Sequence, residues 1–218
     1  MSKEYVRSTL ILGHLPIAGS VVLVDGFENL LKWTKKAGAG DSIFELDPTI
    51  AKIGNQSLHM KTRTTDAAEN DQIGALWSGH LLPSKVLTFI FSFYYPAYLP
   101  IDNILLEMIH NDGTNDHGPQ LQYNPNVPSL TYRNTTPAHI EIPDLALTFD
   151  EDCWHTIQMK VNYNTGKYIS IQVDHVFVDL SGLSYYQVEN PLPVHSDYNI
   201  YIQASDSPPC EINIDEIL

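Results

Sequence analysis

The chain has 218 residues, which suits one sandwich domain better than two separate ones. At 43% hydrophobic and 17% charged it can bury a sizeable core and does not have the composition of a disordered chain. A net charge of −14, from 26 acidic and 12 basic residues, repels phosphate backbones and anionic lipid, so nucleic acid and membrane surfaces are excluded as partners.

The N-terminal stretch Met1 to Arg7 lacks the basic, then apolar, then small-residue order of a secretory signal. Synthesis in the cytosol is the expectation, unless a signal has been trimmed away. Residues 1–20 read as an arm outside the domain, because Gly13, Pro16 and Gly19 interrupt any regular element. Its apolar residues Tyr5, Leu10, Ile11, Leu12 and Leu15 are candidates for docking on a neighbouring subunit, or for an extra edge strand. Residues 21–218 read as one domain. Two cysteines, Cys153 and Cys210, make no disulfide framework and are expected as free, buried thiols.

Along the chain, periodicity of two dominates and no helical stripe of useful length occurs. Strands are predicted at 21–24, 42–46, 57–63, 72–77, 86–95, 104–110, 120–123, 129–133, 138–142, 154–163, 168–173, 176–180, 198–204 and 211–217. The stretch from Val86 to Tyr95 is continuously apolar or aromatic, so a central strand covered on both sides is expected there. In 154–163 the set His155, Ile157, Met159, Val161 and Tyr163 is the core-facing one. Asn164-Thr165-Gly166-Lys167 then makes a hairpin, and Asp174-His175 a second turn, giving a three-stranded meander. The proline-rich region 96–152 holds the longest loops, where binding is expected to sit.

Four local patterns carry a resemblance. Asp25-Gly26-Phe27-Glu28 is followed by Trp33; Gly54-Asn55-Gln56-Ser57-Leu58 enters an early strand; Trp154-His155-Thr156-Ile157 precedes Gln172-Val173-Asp174-His175; and Ile212-Asn213-Ile214-Asp215-Glu216-Ile217 closes the chain. Together they resemble the concanavalin A-like and laminin-G-like superfamily, although His175 stands where those domains usually have glycine. The resemblance implies an all-β fold, a two-sheet antiparallel jelly-roll sandwich, whose last strand returns beside the first. It also implies a possible structural calcium between the first turn and the last strand, with Asp25, Glu28 and Asp215 as ligands. The fold hosts enzymes, lectins and capsid proteins alike.

The chemistry of individual residues points away from catalysis. Glycoside hydrolysis needs two carboxylates flanking the bond. Glu211-Ile212-Asn213-Ile214-Asp215 has asparagine in the middle, and Glu107 has no carboxylate at i+2 or i+4. The loop from His110 to His117 lacks zinc-protease and EF-hand spacing, and no nucleophile elbow, P-loop or C-x-x-C occurs. A sugar platform needs aromatic rings beside amides; Tyr94, Tyr98, Asn103, Tyr123, Asn124 and Tyr132 are the candidates.

These readings lead to a non-catalytic sandwich that assembles with other protein subunits or with itself, most naturally as a virion-type structural or decoration protein. The alternative is a carbohydrate-binding module or lectin of laminin-G type, with glycans as partners and an extracellular location. A glycoside hydrolase ranks third.

Overall fold

The computed structural model describes residues 25–28, 33–38, 40–63, 71–79, 86–96, 101–124, 129–136, 138–142, 149–204 and 209–217. The proposed arm, with Tyr5, Leu10, Ile11, Leu12 and Leu15, lies outside them, as do the strand expected at 21–24 and Tyr98.

The described residues form 16 strands and no helix: β1 (Thr34–Ala37), β2 (Ile43–Asp47), β3 (Ser57–Lys61), β4 (Gln72–Gly79), β5 (Val86–Tyr95), β6 (Ile101–Asn111), β7 (Asn115–Gly118), β8 (Gln120–Asn124), β9 (Ser129–Arg133), β10 (His139–Glu141), β11 (Cys153–Asn162), β12 (Lys167–Val173), β13 (Val176–Asp179), β14 (Tyr186–Glu189), β15 (His195–Ala204) and β16 (Glu211–Asp215). One sheet has seven strands in the order β13-β12-β11-β5-β16-β3-β2. The other has nine, with the path β1-β4-β15-β6-β8-β9-β10 and the pair β7 and β14 beside β6. Every pairing is antiparallel.

Side-chain alternation explains how the two sheets face each other. On β5, Phe89, Phe91 and Phe93 point inward and are buried, with successive ring centroids 6.3 and 5.6 Å apart. Phe89 meets Tyr198 of β15 at 5.2 Å across the sandwich, and Phe149 meets Tyr123 of β8 at 4.3 Å. Burying rings of this size is the dominant favourable term, roughly 2 to 3 kcal/mol per side chain before entropy is counted. β5 is the fourth of seven strands, and Ile90 and Ser92 on its outward side are buried as well. The central, doubly covered strand expected there is what forms.

The meander β11-β12-β13 also forms as the alternation requires. Gly166 adopts φ 64° in the first turn, and Asp174 adopts φ 49° in the second, a conformation that a short polar side chain tolerates. Trp154-His155 and Val173-Asp174 come together here. His155 Nδ1 lies 2.8 Å from Asp174 Oδ2 and its Nε2 lies 2.8 Å from the carbonyl of Asp150. Asp25 and Ile217 exchange backbone hydrogen bonds of 3.0 and 2.9 Å, so the last segment returns beside the first. The cysteine expectation needs one correction: both are free, but Cys153 is exposed because it opens β11 at the sheet's end. Cys210 is buried, which pushes its thiol up to about 12.

One core tyrosine ties the sheets together. Tyr168 of β12 accepts a hydrogen bond from Gln120 N (3.0 Å) and donates to Arg133 O (2.9 Å), with Gln120 O at 3.1 Å. Gln120 and Arg133 thus take their position partly from the opposite sheet.

Candidate functional site

The nine-stranded sheet turns one set of alternate residues to the core and the other outward. On β6 the inward set is Ile104, Leu106, Met108 and His110; the outward set is Asn103, Leu105, Glu107 and Ile109. The register places Asn199 of β15 opposite Glu107 on one side and Gln120 of β8 opposite it on the other. Leu121 pairs with Tyr132, so Gln120 and Arg133 are neighbours in the next step, and His139 of β10 pairs with Arg133. Asn199, Glu107, Gln120, Arg133 and His139 therefore form a row across five strands. A second row, one pleat along, runs Lys36, Gly74, Tyr201, Leu105, Gln122, Thr131 and Glu141.

Hydrogen bonds knit the first row. Asn199 Nδ2 donates to Glu107 Oε2 at 3.0 Å, and Gln120 Nε2 reaches Oε1 at 3.4 Å. Burial pushes the Glu107 carboxyl above the ordinary range, against the Asn199 N–H and the charges of Lys36 and Arg133. The Arg133 guanidinium lies 3.9 Å from the centroid of the Tyr186 ring, close enough for a cation–π contact. In the second row, Lys36 Nζ sits 5.6 Å from the Tyr201 centroid and hydrogen-bonds that side chain, which raises the lysine's pKa despite burial. The Tyr201 ring occupies the space that a Cβ on Gly74 would take. Two buried polar atoms on this face lack a hydrogen-bond partner among the described residues: Asn199 Oδ1 and Arg133 Nε.

Among the described residues, those proposed as a sugar platform do not share one surface. Tyr123 and Tyr132 are 2% and 7% exposed, because they belong to the inward set of β8 and β9. Neither ring can stack on a ligand. Tyr94 lies on the outer side of the seven-stranded sheet, packed at 5.7 Å against Trp154. Asn103 and Asn124 do share the outer side of the nine-stranded sheet, one pleat beyond the Lys36–Tyr201 row. Sequence reasoning missed Lys36, Glu107, Gln120, Arg133, Asn199 and Tyr201 as a group. The available signal was the polar set alternating with Leu121 and Tyr123 on β8, and with Leu130 and Tyr132 on β9.

The donors expected for calcium do not converge either. Asp25 Oδ2 is buried without a hydrogen bond, which would suit an ion, while Oδ1 accepts from Phe27 N. Glu28 instead receives both the backbone and side-chain N–H of Asn55. Asp215 receives the N–H groups of Lys52, Ile53 and Glu216. Among the described residues no group of three or more His, Cys, Asp or Glu side chains is placed to hold a metal.

No family profile matches the chain, and no curated protein matches it in sequence. Solved structures do match in shape. An endo-β-1,4-glucuronan lyase from the fungus Trichoderma reesei superposes with a TM-score of 0.62 at 12% identity, covering 89% of this chain and 93% of its own. A cellulose induced protein, Cip1, gives 0.61 at 15% identity, covering 90% and 96%. A GH16 protein of a Bacteroides ovatus mixed-linkage glucan locus, in complex with its product, gives 0.54 at 12% identity, covering 91% and 99%.

These neighbours correct two expectations. They include a lyase, a GH16 protein and a lectin bound to galactose, and nothing among them points to a virion structural protein. The same comparison removes the ground for excluding catalysis, since enzymes are among the chains of this shape. Two antiparallel sheets packed face to face, and neighbours of that shape along nearly the whole chain, give this protein the concanavalin A-like jelly-roll fold its sequence resembles.

Proposed function

We propose that this protein recognises a polysaccharide, which lies across the strands on the outer side of the nine-stranded sheet. The observation that carries this reading is the double row of side chains there, from Lys36 and Tyr201 to Arg133 and His139. It offers amides, a carboxyl, two cations and an aromatic ring in a line many strands wide. Sugars need that combination: hydroxyls exchange hydrogen bonds with amides and carboxyls, and their C–H faces pack on rings and aliphatic side chains such as Leu105. Asn199 and Gln120 lie buried within this row and hold Glu107 from either side, so the row is set before any ligand arrives. The names of the neighbours, a glucuronan lyase and a mixed-linkage glucan protein, are consistent with a glycan ligand.

Affinity electrophoresis of the full chain against a panel of soluble plant, fungal and bacterial polysaccharides tests the proposal. At least one should retard it, and Tyr201→Ala should weaken that retention by about tenfold, the order expected for a lost stacking contact plus its lysine partner. Reading the same mixtures for new chain ends separates cutting from binding. If no polysaccharide retards the wild-type chain, the reading is wrong.

A further inference from the structure

We infer that the sugar held beside Arg133 carries a carboxylate, so that the ligand is an acidic glycan built with uronic acid residues; this rests on the glycan reading above and narrows it. The starting observation is a cation left open in an acidic protein. With 26 acidic residues against 12 basic ones, partners for every cation are abundant. Lys52, Lys61 and Arg63 indeed pair with Glu216, Glu211 and Asp71. Arg133, like Lys160 and Lys167, makes no such ion pair among the described residues; what sets it apart is a buried Nε without a hydrogen bond.

The surroundings keep it that way. Glu107, the acidic side chain of its row, is separated from Arg133 by Gln120, and Glu141, diagonally across on β10, makes no ion pair with it. Both Glu107 oxygens are already taken by the amides of Asn199 and Gln120. The guanidinium plane is fixed against the Tyr186 ring, and the hydroxyl of Tyr168 holds the Arg133 backbone from beneath. A planar fork of N–H donors that meets no carboxylate among the described residues is matched by one from a ligand, which takes two donors side by side.

The net charge of −14 does not override this. At physiological salt, charges more than about 8 Å away are largely screened, so the local cation decides whether an anion is held at contact. Lys36 supplies a second cation at the opposite edge of the sheet, five strand steps away. At about 4.8 Å per step that is on the order of 24 Å, a span that calls for an extended chain rather than a single sugar.

Calorimetric titration of the full chain decides the point, using a glucuronic acid hexamer, its carboxyl-reduced neutral counterpart and a sulfated oligosaccharide of equal length. The acidic hexamer should bind at least tenfold tighter than the neutral one. Arg133→Ala should bring that ratio to about one, while Arg133→Lys keeps part of it. If Arg133→Ala does not fold, the wild-type ratio alone decides. Measurable binding of both hexamers with equal affinity overturns the carboxylate and leaves the glycan reading standing. A sulfated chain that binds as tightly as the uronate also overturns it. Failure of every glycan to bind removes this inference together with the reading beneath it.

Discussion

The outer sides of the two sheets are built from the same alternation and end in opposite states. On the seven-stranded sheet the polar groups answer one another. Lys52 bonds Glu216 at 2.7 Å, Ser92 at 2.9 Å and Thr156 at 3.0 Å, while Asp215 clamps the backbone of Lys52 and Ile53. Asn213 is likewise engaged by Asp47 and Ser57. A segment of the chain itself lies on that side and engages these groups. The nine-stranded sheet leaves Asn199 Oδ1 and Arg133 Nε without partners among the described residues, and carries Tyr201, Lys36 and Glu107 in rows. One surface is completed by the protein's own chain and the other is suited to completion by something else.

Substitutions should separate the two surfaces in opposite ways. Asp215→Ala on the closed side strands three backbone N–H groups and should cost about 3 kcal/mol in a urea titration, with any glycan affinity of the folded fraction unchanged. Asn199→Ala on the open side should cost about 1 kcal/mol of stability and yet weaken glycan binding about tenfold. Equal effects of the two on both measurements would erase the contrast. Tyr168→Phe lies between them. It removes the hydroxyl that braces Gln120 and Arg133, so a loss of about 1 to 2 kcal/mol should come with a few-fold drop in affinity.

The smallest effect is a pH dependence on the closed sheet. Both nitrogens of His155 face acceptors, Asp174 and the Asp150 carbonyl, and these outweigh burial to raise its pKa; the same pair, against burial, lowers that of Asp174. A raised histidine stabilises the fold below its unfolded value near 6.5, and that contribution is lost as pH rises through the folded value. A lowered aspartate stabilises above about 3.9, and its contribution is lost as pH falls through the folded value. Since Asp174 is partly exposed, the pair should contribute no more than about 1 kcal/mol. Thermal melts of His155→Gln should lose the decline expected of the wild type as pH rises past about 6.5, while glycan affinity keeps its wild-type pH profile.

The architecture was far more legible than the site. Strong alternation announces β11 and β12, and unbroken apolar and aromatic residues announce β5, because core burial writes itself into one strand at a time. β1, β7 and β14 were missed because Thr34–Ala37, Asn115–Gly118 and Tyr186–Glu189 carry little apolar pattern and owe their form to their neighbours. Glu107 looked solitary because its partners lie 92 residues later and 13 residues later, on other strands. Tyrosine chemistry suits a sugar platform, but Tyr123 and Tyr132 have the parity of core residues. A site made by register is invisible until the register is known.

Gly74 gives the open surface a point of adjustment. Its missing side chain is the reason the Tyr201 ring can settle onto β4, so residue 74 sets how high the ring stands above the sheet. A single methyl there would raise the ring, the proposed floor for a sugar, while leaving the pairing of the Asn199–Arg133 row in place. Ligand preference in a descendant of this protein can therefore drift through a backbone position that never meets the ligand.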